Sequence, residues 1–391
     1  MKTRFLATMS HDIRTPLNGI IGMVNMGNQY ADDPQMQQKI REKVMESLKY
    51  LVSLVNDVLD MNKLQSGDLK DQQLLFDLTM VLRELNQIYD ERAAKKGIQY
   101  EIDWKNGTYS HIALVGNPVY LGRILSNIMD NAIKFSQAGS VITVWVEEET
   151  LDDGRAIFTF YCKDQGVGMS EDFIAHAFDM FSQESKTSRS RYEGTGLGLA
   201  ITKQLVDRMG GSIELKSEAG VGTTVIVKIS FKIGTQDKNS NLSDKPVSLD
   251  DYSVEGMRAL VVEDNELNME ISRCILEDSG MEVTCAVDGQ EAVEIFEKSA
   301  PDYFGVIYMD VMMPRMNGLD AARTIREMKR RDAKRVPIIA MSANAFAEDI
   351  INSRLAGMNV HLAKPLDAEK MIVALKQCMA DNSDVKLHED L

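Results

Sequence analysis

From residue 1 to about residue 68, apolar positions return every three or four residues, the period of an α-helix. In the second half of this stretch they fall at Val44, Leu48, Leu51, Val55 and Val58, spaced 4, 3, 4, 3 as in a heptad seam. In the first half they fall at Ile13, Leu17, Ile20 and Val24, spaced 4, 3, 4. Tyr30-Ala31-Asp32-Asp33-Pro34 between them reads as a turn. Two helices cannot bury both flanks of such seams. A second copy completing a four-helix bundle would do so, and a hairpin packed on its own downstream domain is the alternative.

Over residues 69–233 the pattern becomes mixed. Gln99–Asp103, Val141–Glu147, Ile157–Cys162 and Thr224–Phe231 are rich in β-branched and aromatic residues and predict strands. Helical periodicity covers 78–96, 118–135 and 197–209. The two kinds of element do not alternate one for one, which predicts an α+β domain with helices on one face of a mixed sheet. Residues 234–256 are polar and hold Gly, Asn, Ser and Pro, the composition of a flexible linker.

Residues 257–381 alternate cleanly. Strands are predicted near 258–263, 281–286, 303–309, 336–341 and 360–362, with helices near 266–279, 289–299, 318–330, 345–357 and 367–380. Repeated βα units predict a doubly wound parallel sheet. The polar tail, 382–391, is expected to fray. The fold class is therefore multidomain: a helical hairpin, an α+β domain and a doubly wound α/β domain.

Composition narrows the function. The 391 residues are 44% hydrophobic and 26% charged, which is globular. Acidic residues outnumber basic ones 59 to 44, for a formal charge of −15, so direct nucleic-acid binding is disfavoured. No apolar stretch approaches the roughly 18 residues of a membrane span, and no leader pattern opens the chain. Four scattered cysteines without a C-x-x-C pair fit reduced thiols in a cytosolic setting.

Three places carry candidate chemistry. The first is His11, one step of about 100° from the seam of the first helix, followed by Asp12 and, a turn later, Thr15. A carboxylate beside an accessible imidazole can orient it and accept its proton, although a surface histidine is the commoner case. Pro16 predicts a bend beside it.

The second is a set of glycine clusters at Gly166 and Gly168, at Gly194, Gly196 and Gly198, and at Gly220-Val221-Gly222-Thr223. Such glycines let backbone N–H groups approach phosphate, and a helix beginning near Leu197 adds its positive end. The spacing does not match a Rossmann loop, and a lone G-x-G is mostly a turn. Asn127, Asn131 and Lys134 share one face of the preceding helix, where amide oxygens can ligate Mg²⁺ and an ammonium can meet phosphate. Alone they would be solvated surface; together with the glycines they predict a nucleotide site.

The third is the carboxyl edge of the parallel sheet. Glu263, Asp264, Asp310, Ser342 and Lys364 are predicted at the ends of four strands, where ligands bind in this fold. An all-oxygen set argues for Mg²⁺ rather than zinc. The plain alternative is that Asp264 and Asp310 only cap helices.

The chain resembles the cytosolic core of a hybrid sensor histidine kinase. SHDIRTPLNG at 10–19 resembles the H-box, and NIMDNAIKF at 127–135 the N-box. DQGVGM, FDMF, GTGLGL and GVGT resemble the remaining kinase boxes. VVEDN, MDVMMPRMNG, MSANAF and Lys364-Pro365 resemble a receiver. The resemblance implies a dimerisation and phosphoacceptor hairpin, an α/β sandwich ATPase of the gyrase, chaperone and histidine-kinase type, and a flavodoxin-like receiver. It implies that His11 takes the γ-phosphoryl of ATP, with Asp12 as base and Thr15 supporting a phosphatase-type reaction. Asn131 would hold Mg²⁺, with Asn127 and Lys134 near the phosphates, Phe135 near the base and Asp164 on the adenine amino group. Gly166, Gly168, Gly194, Gly196, Gly198 and Thr223 would border the nucleotide, with Arg189 and Arg191 on a mobile lid. Asp310 would accept the phosphoryl group, Glu263 and Asp264 would organise Mg²⁺, and Lys364 and Ser342 would bind phosphoryl oxygens. The Lys364–Pro365 bond would be cis.

Two residues depart from the commonest family pattern. His361 stands where many receivers carry a Tyr or Phe switch ring, and Glu193 where many lids carry glycine. The resemblance also implies a homodimer and a downstream histidine phosphotransfer protein or response regulator. The expected location of this segment is the cytoplasm whether or not a full-length form is anchored to a membrane, as members of the family often are. The chain starts ten residues before His11, which reads as a shortened kinase or one controlled by a partner. A nucleotide-binding scaffold without turnover and a gyrase-type mechanochemical ATPase are the competing classes; the latter have no acceptor helix before the pocket and no receiver after it.

Overall fold

A computed structural model of the chain describes residues 2–30, 33–66, 73–103, 107–182, 196–234, 253–342, 347–364 and 366–389. Within these, the side chains of 2–12, 49–50, 52–53, 56–66, 347 and 380–389 lie outside the description. The residues form two units, each taken by itself below.

The first unit opens with α1 (Lys2–Gln29) and α2 (Pro34–Ser66), which pack side by side. Asp33 caps α2 by accepting the Met36 N–H at 3.0 Å, and the Gln37 amide donates to the Gly27 carbonyl at 2.6 Å, closing the turn. α1 runs through Pro16 without a break, and Pro16 is buried with Ile40 and Leu54. The two seams divide. Ile13, Ile20, Val44 and Leu51 are half-buried, whereas Leu17, Val24, Leu48 and Val55 are exposed. α2 also lies against α6 (Gly198–Arg208) of the same unit, yet Ile21 and Met45 widen the exposed apolar stripe. The side chain of Val58 lies outside the description, and residues 31–32 of the turn lie outside the described residues.

The rest of this unit is a seven-stranded sheet with helices. In chain order it holds β1 (Leu74–Asp77), α3 (Leu78–Lys96), β2 (Gln99–Ile102), β3 (Ala113–Gly116) and α4 (Pro118–Phe135). Then come β4 (Val141–Thr150), β5 (Arg155–Asp164), the short α5 (Glu171–Ile174), α6, β6 (Ser212–Glu218) and β7 (Gly222–Ile233). The order is β1-β3-β7-β5-β4-β2, with β6 also on β7. Among the described strands of this sheet, β2 and β4 are the pair that run in parallel. The helix starts follow local chemistry: Asp77 caps α3, and Asn117 followed by Pro118 opens α4. α4 packs on β5 and α6, and the Tyr89 hydroxyl donates to the Ser126 carbonyl at 3.1 Å, tying α3 to α4. Three strands lie outside the predicted set. β1 and β3 have four residues each, too few to show a period. β6 alternates Ile213 and Leu215 with Glu214 and Lys216, the charged pattern of an edge.

The second unit alternates β8 (Arg258–Val262), α7 (Glu266–Asp278), β9 (Glu282–Ala286), α8 (Gly289–Lys298), β10 (Val306–Asp310) and α9 (Gly318–Glu327). It continues with β11 (Ile338–Ser342), α10 (Ala347–Leu355), β12 (Val360–Ala363) and α11 (Ala368–Glu389). All strands are parallel in the order β9-β8-β10-β11-β12, a doubly wound sheet whose strand order reverses beside β8. β10 and β11 are buried along their whole length, between two apolar layers. The tail expected to fray is helical to Glu389, because no Pro or Gly interrupts the helix after Ala368.

Candidate functional site

The nucleotide-type pocket is organised around Asp164, the last residue of β5 and the register partner of Thr223 on β7. Asp164 is buried, and its Oδ1 accepts the N–H groups of Gly166 at 2.8 Å and Thr223 at 3.2 Å. Burial raises its carboxyl pKa, and these two donors only partly oppose that. The loop after β5 runs against the β6–β7 turn. Gly168 has φ +64°, and a Cβ there would sit 1.9 Å from the Glu218 carbonyl oxygen, so only glycine fits. Gly166 is pinched between the Asp164 carboxylate and the Phe135 carbonyl, each 2.8 Å from a Cβ position.

Ser217 on β6 joins the pieces. It accepts the Met169 N–H at 2.9 Å and donates to the Gly222 carbonyl at 3.0 Å. Its single proton being used there, Thr223 Oγ1 donates to it at 2.8 Å. Sequence reasoning missed Ser217, since a lone serine in a short alternating strand carries no signal.

On α4, Asn131 and Lys134 are half-buried, and the Lys134 ammonium stands 4.4 Å from the Phe135 ring centroid. Asn127 is engaged differently from its face-mates. Its amide donates to the Gly198 carbonyl at 3.4 Å and Thr202 Oγ1 at 3.3 Å, bracing the first turn of α6. Gly196, with φ +68°, packs on Phe181, whose N–H it accepts at 2.9 Å. Gly194, Arg189, Arg191 and Glu193 lie outside the described residues. His11 and Asp12 belong to α1, with side chains outside the description, and Thr15 on the same helix is exposed.

The acidic pocket lies at the carboxyl edge of the parallel sheet. Carboxylate oxygens of Glu263, Asp264 and Asp310 fall within 4.8 Å of one another. The Lys364 ammonium donates to Glu263 Oε2 and Asp310 Oδ2, both at 2.5 Å. The second oxygen of Glu263 accepts from the Asn268 amide at 2.9 Å, and Asp310 Oδ1 accepts the Met312 N–H at 3.1 Å. Burial raises the Glu263 carboxyl pKa against the pull of Lys364 and Asn268. Burial alone would lower the Lys364 ammonium, but its bonds to Asp310 and Glu263 outweigh this and raise it. Glu263 and Asp310 are buried and Asp264 is exposed.

The capping alternative does not hold for either aspartate. Asn265 caps α7 and Asn317 caps α9. Three clustered carboxylates, offering only oxygen, fit a hard divalent ion such as Mg²⁺.

Ser342, the buried end of β11, has its Oγ 2.8 Å from His361 Nε2, and His361 Nδ1 is 3.0 Å from Ser353 Oγ on α10. Neither Asn268 nor Ser353 was picked out by sequence reasoning; each becomes visible only when its helix is folded back over the sheet edge. Pro365 lies outside the described residues, and with it the expected cis bond. Among the described residues no helix is long and apolar enough to cross a membrane.

Comparison with known families agrees with this layout. The "His Kinase A (phospho-acceptor) domain" matches residues 1–67. The "Histidine kinase-, DNA gyrase B-, and HSP90-like ATPase" matches 116–233, and the "Response regulator receiver domain" matches 259–376. Among curated proteins, the chain is 30% identical over 395 residues to the sensory/regulatory protein RpfC of Xanthomonas campestris pv. campestris, covering 96% of this chain and 54% of that one. It is 31% identical over 369 residues to the autoinducer 2 sensor kinase/phosphatase LuxQ of Vibrio harveyi, covering 93% and 41%. It is 30% identical over 383 residues to the aerobic respiration control sensor protein ArcB of Escherichia coli, covering 96% and 46%. The chain thus spans about half the length of the curated relatives it matches. With a phospho-acceptor hairpin, an ATPase domain and a receiver following one another, the chain belongs to the hybrid sensor histidine kinases.

Proposed function

We propose that this chain moves a phosphoryl group from ATP to His11 and then to Asp310. The observation that carries the reading is the Lys364 ammonium held between Glu263 and Asp310 at the sheet edge, in a chain whose first helix bears the H-box. In the first step a ring nitrogen of His11 attacks the γ-phosphorus. The bond to the β,γ-bridging oxygen breaks, ADP leaves, and Asp12 takes the ring proton. Asp164 would receive the adenine amino group, since both bonds described for it use Oδ1. Asn131 and Lys134 would meet the phosphate end, with Asn127 as a strut that holds α6 in place.

In the second step an Asp310 oxygen attacks phosphorus and the N–P bond to His11 breaks. Lys364 and Ser342 would hold the phosphoryl oxygens. Mg²⁺, bound through Asn131 with ATP and through Glu263, Asp264 and Asp310 in the receiver, would neutralise phosphoryl charge. Thr15 would support the reverse, phosphatase-type reaction.

The exposed stripe of Leu17, Ile21, Val24, Met45, Leu48 and Val55 supports a homodimer through the hairpins. A histidine phosphotransfer protein or response regulator would take the group onward. The consumption of ATP supports a cytoplasmic place for this segment.

The test is incubation with γ-labelled ATP and Mg²⁺, comparing wild type with His11→Gln and Asp310→Asn. Acid-labile, base-stable label that accumulates in Asp310→Asn and is absent from His11→Gln is the expected result. Nucleotide binding with no label in any of the three proteins would point instead to a scaffold without turnover.

A further inference from the structure

His361 is a histidine with both ring nitrogens engaged, and the phosphotransfer scheme above gives it no task. Its partners allow its protons to be counted. The Ser353 hydroxyl donates to the Asp349 carbonyl one helical turn back, at 2.8 Å. A hydroxyl has one proton, and a carbonyl can only accept. Ser353 Oγ therefore accepts from His361 Nδ1–H across 3.0 Å. In a neutral imidazole this leaves Nε2 as a lone pair, and the 2.8 Å contact with Ser342 must be a donation from the Ser342 hydroxyl to the ring.

The consequence reaches the phosphoryl site. Ser342 ends β11, beside Asp310 at the end of β10, and its hydroxyl can serve a phosphoryl oxygen only by donating its proton. That proton is already committed to His361. We propose that His361 is a positioning residue, fixed in its Nδ1–H tautomer by Ser353, that competes with the phosphoryl group for the Ser342 hydroxyl and so restrains phosphoryl capture at Asp310. This rests on the reading above that Asp310 is the acceptor. A Phe ring offers no lone pair, and a Tyr hydroxyl can donate as well as accept, so a partner held to accepting from Ser342 is particular to the histidine. Ser353 is part of it, because without that acceptor the ring can take the Nε2–H tautomer. It would then donate to Ser342 and free the hydroxyl proton.

The test uses the whole chain with ¹⁵N-labelled histidine, in which only five histidines report. His361 is assigned by its loss in His361→Phe. The expected wild-type signature is a neutral ring protonated at Nδ1, changing to Nε2–H in Ser353→Ala. In parallel, Asp310 is phosphorylated with acetyl phosphate and Mg²⁺, without ATP. The bond from phosphorus to an Asp310 oxygen forms as the bond to acetate breaks, and acetate leaves.

His361→Phe and Ser353→Ala should both take up phosphoryl faster than wild type by about two- to tenfold, the range spanned by one released hydrogen bond. Equal rates, or a wild-type ring that is doubly protonated or carries Nε2–H, would overturn the proposal. Should His361→Phe fail to fold, Ser353→Ala decides through both readouts, with the histidine resonances compared directly between it and wild type. Failure of the underlying reading looks different: wild type would take up no more label than Asp310→Asn, whatever the tautomer of His361.

Discussion

Lys364 is the residue on which the acidic pocket turns. Without it Glu263 and Asp310 face each other as buried carboxylates with no ammonium between them. Lys364→Ala should slow transfer to Asp310 by at least about a hundredfold, as loss of one charge-stabilising donor does elsewhere. Label on His11 should be undiminished, which gel autoradiography with an acid-treated duplicate would resolve.

A second residue-scale prediction concerns Glu148 on β4, whose carboxylate takes the N–H groups of Ser110 at 2.6 Å and His111 at 3.0 Å together with the His111 ring. Burial pushes this carboxyl up, but those donors prevail and hold it down at about 2 against an ordinary 4.5. A depressed carboxyl contributes stability that is complete above 4.5 and is lost as pH falls toward about 2. Glu148→Gln should therefore cost roughly 1–3 kcal/mol at neutral pH, with the deficit shrinking in acid. Urea unfolding followed by tryptophan fluorescence reads this directly, because Trp145 lies on β4 with Glu148. A deficit that stayed constant down to pH 2 would contradict the assignment.

Elements show how the sites are braced. In the receiver, Arg330 donates to the carbonyls of Phe296, Ser299 and Ala300, pairs with both oxygens of Asp332 at 2.7 Å, and stands 4.3 Å from the Phe296 ring centroid. It thereby sews the end of α8 to the stretch between α9 and β11. Arg330→Ala should cost about 3 kcal/mol, because it strands a buried aspartate and several carbonyls at once. Amide exchange in β10 and β11 should accelerate accordingly while the nucleotide domain keeps its protection. In that domain, Gly168→Ala forces a Cβ into the Glu218 carbonyl at a φ of +64°. The loop would have to move off the β6–β7 turn, and nucleotide affinity should fall by about tenfold or more, measured by titration with a fluorescent ATP analogue. Helices were the legible elements, since their caps and periods are local. β1, β3 and β6 were not, because strands this short or this polar are held by their neighbours rather than by their own pattern.

At the scale of the molecule, the hairpin is the unfinished part. Its interior holds Pro16, Ile40 and Leu54, whereas half of the described positions of each heptad seam face outward. Placing charge there should cost nothing within one chain and much between two. Val24→Glu combined with Leu48→Glu should therefore convert a dimer to a folded monomer in sedimentation equilibrium, with receiver phosphorylation by acetyl phosphate retained. A double variant that stayed dimeric would move the interface elsewhere.

The sequence alone was enough for the order of domains, the periods of most helices, the parallel sheet and the residue types gathered at its edge. These depend on local pattern and on a topology with few alternatives. It was also enough to single out His361, but only as an exception. Tertiary structure decided what those residues do to one another: that Asn127 braces α6, that Asn268 and Lys364 take the two oxygens of Glu263, and that Ser353 and Ser342 hold opposite nitrogens of one imidazole. The reason is physical. A hydrogen bond between residues far apart in sequence leaves no period in the chain, because its geometry is set only when separate elements pack.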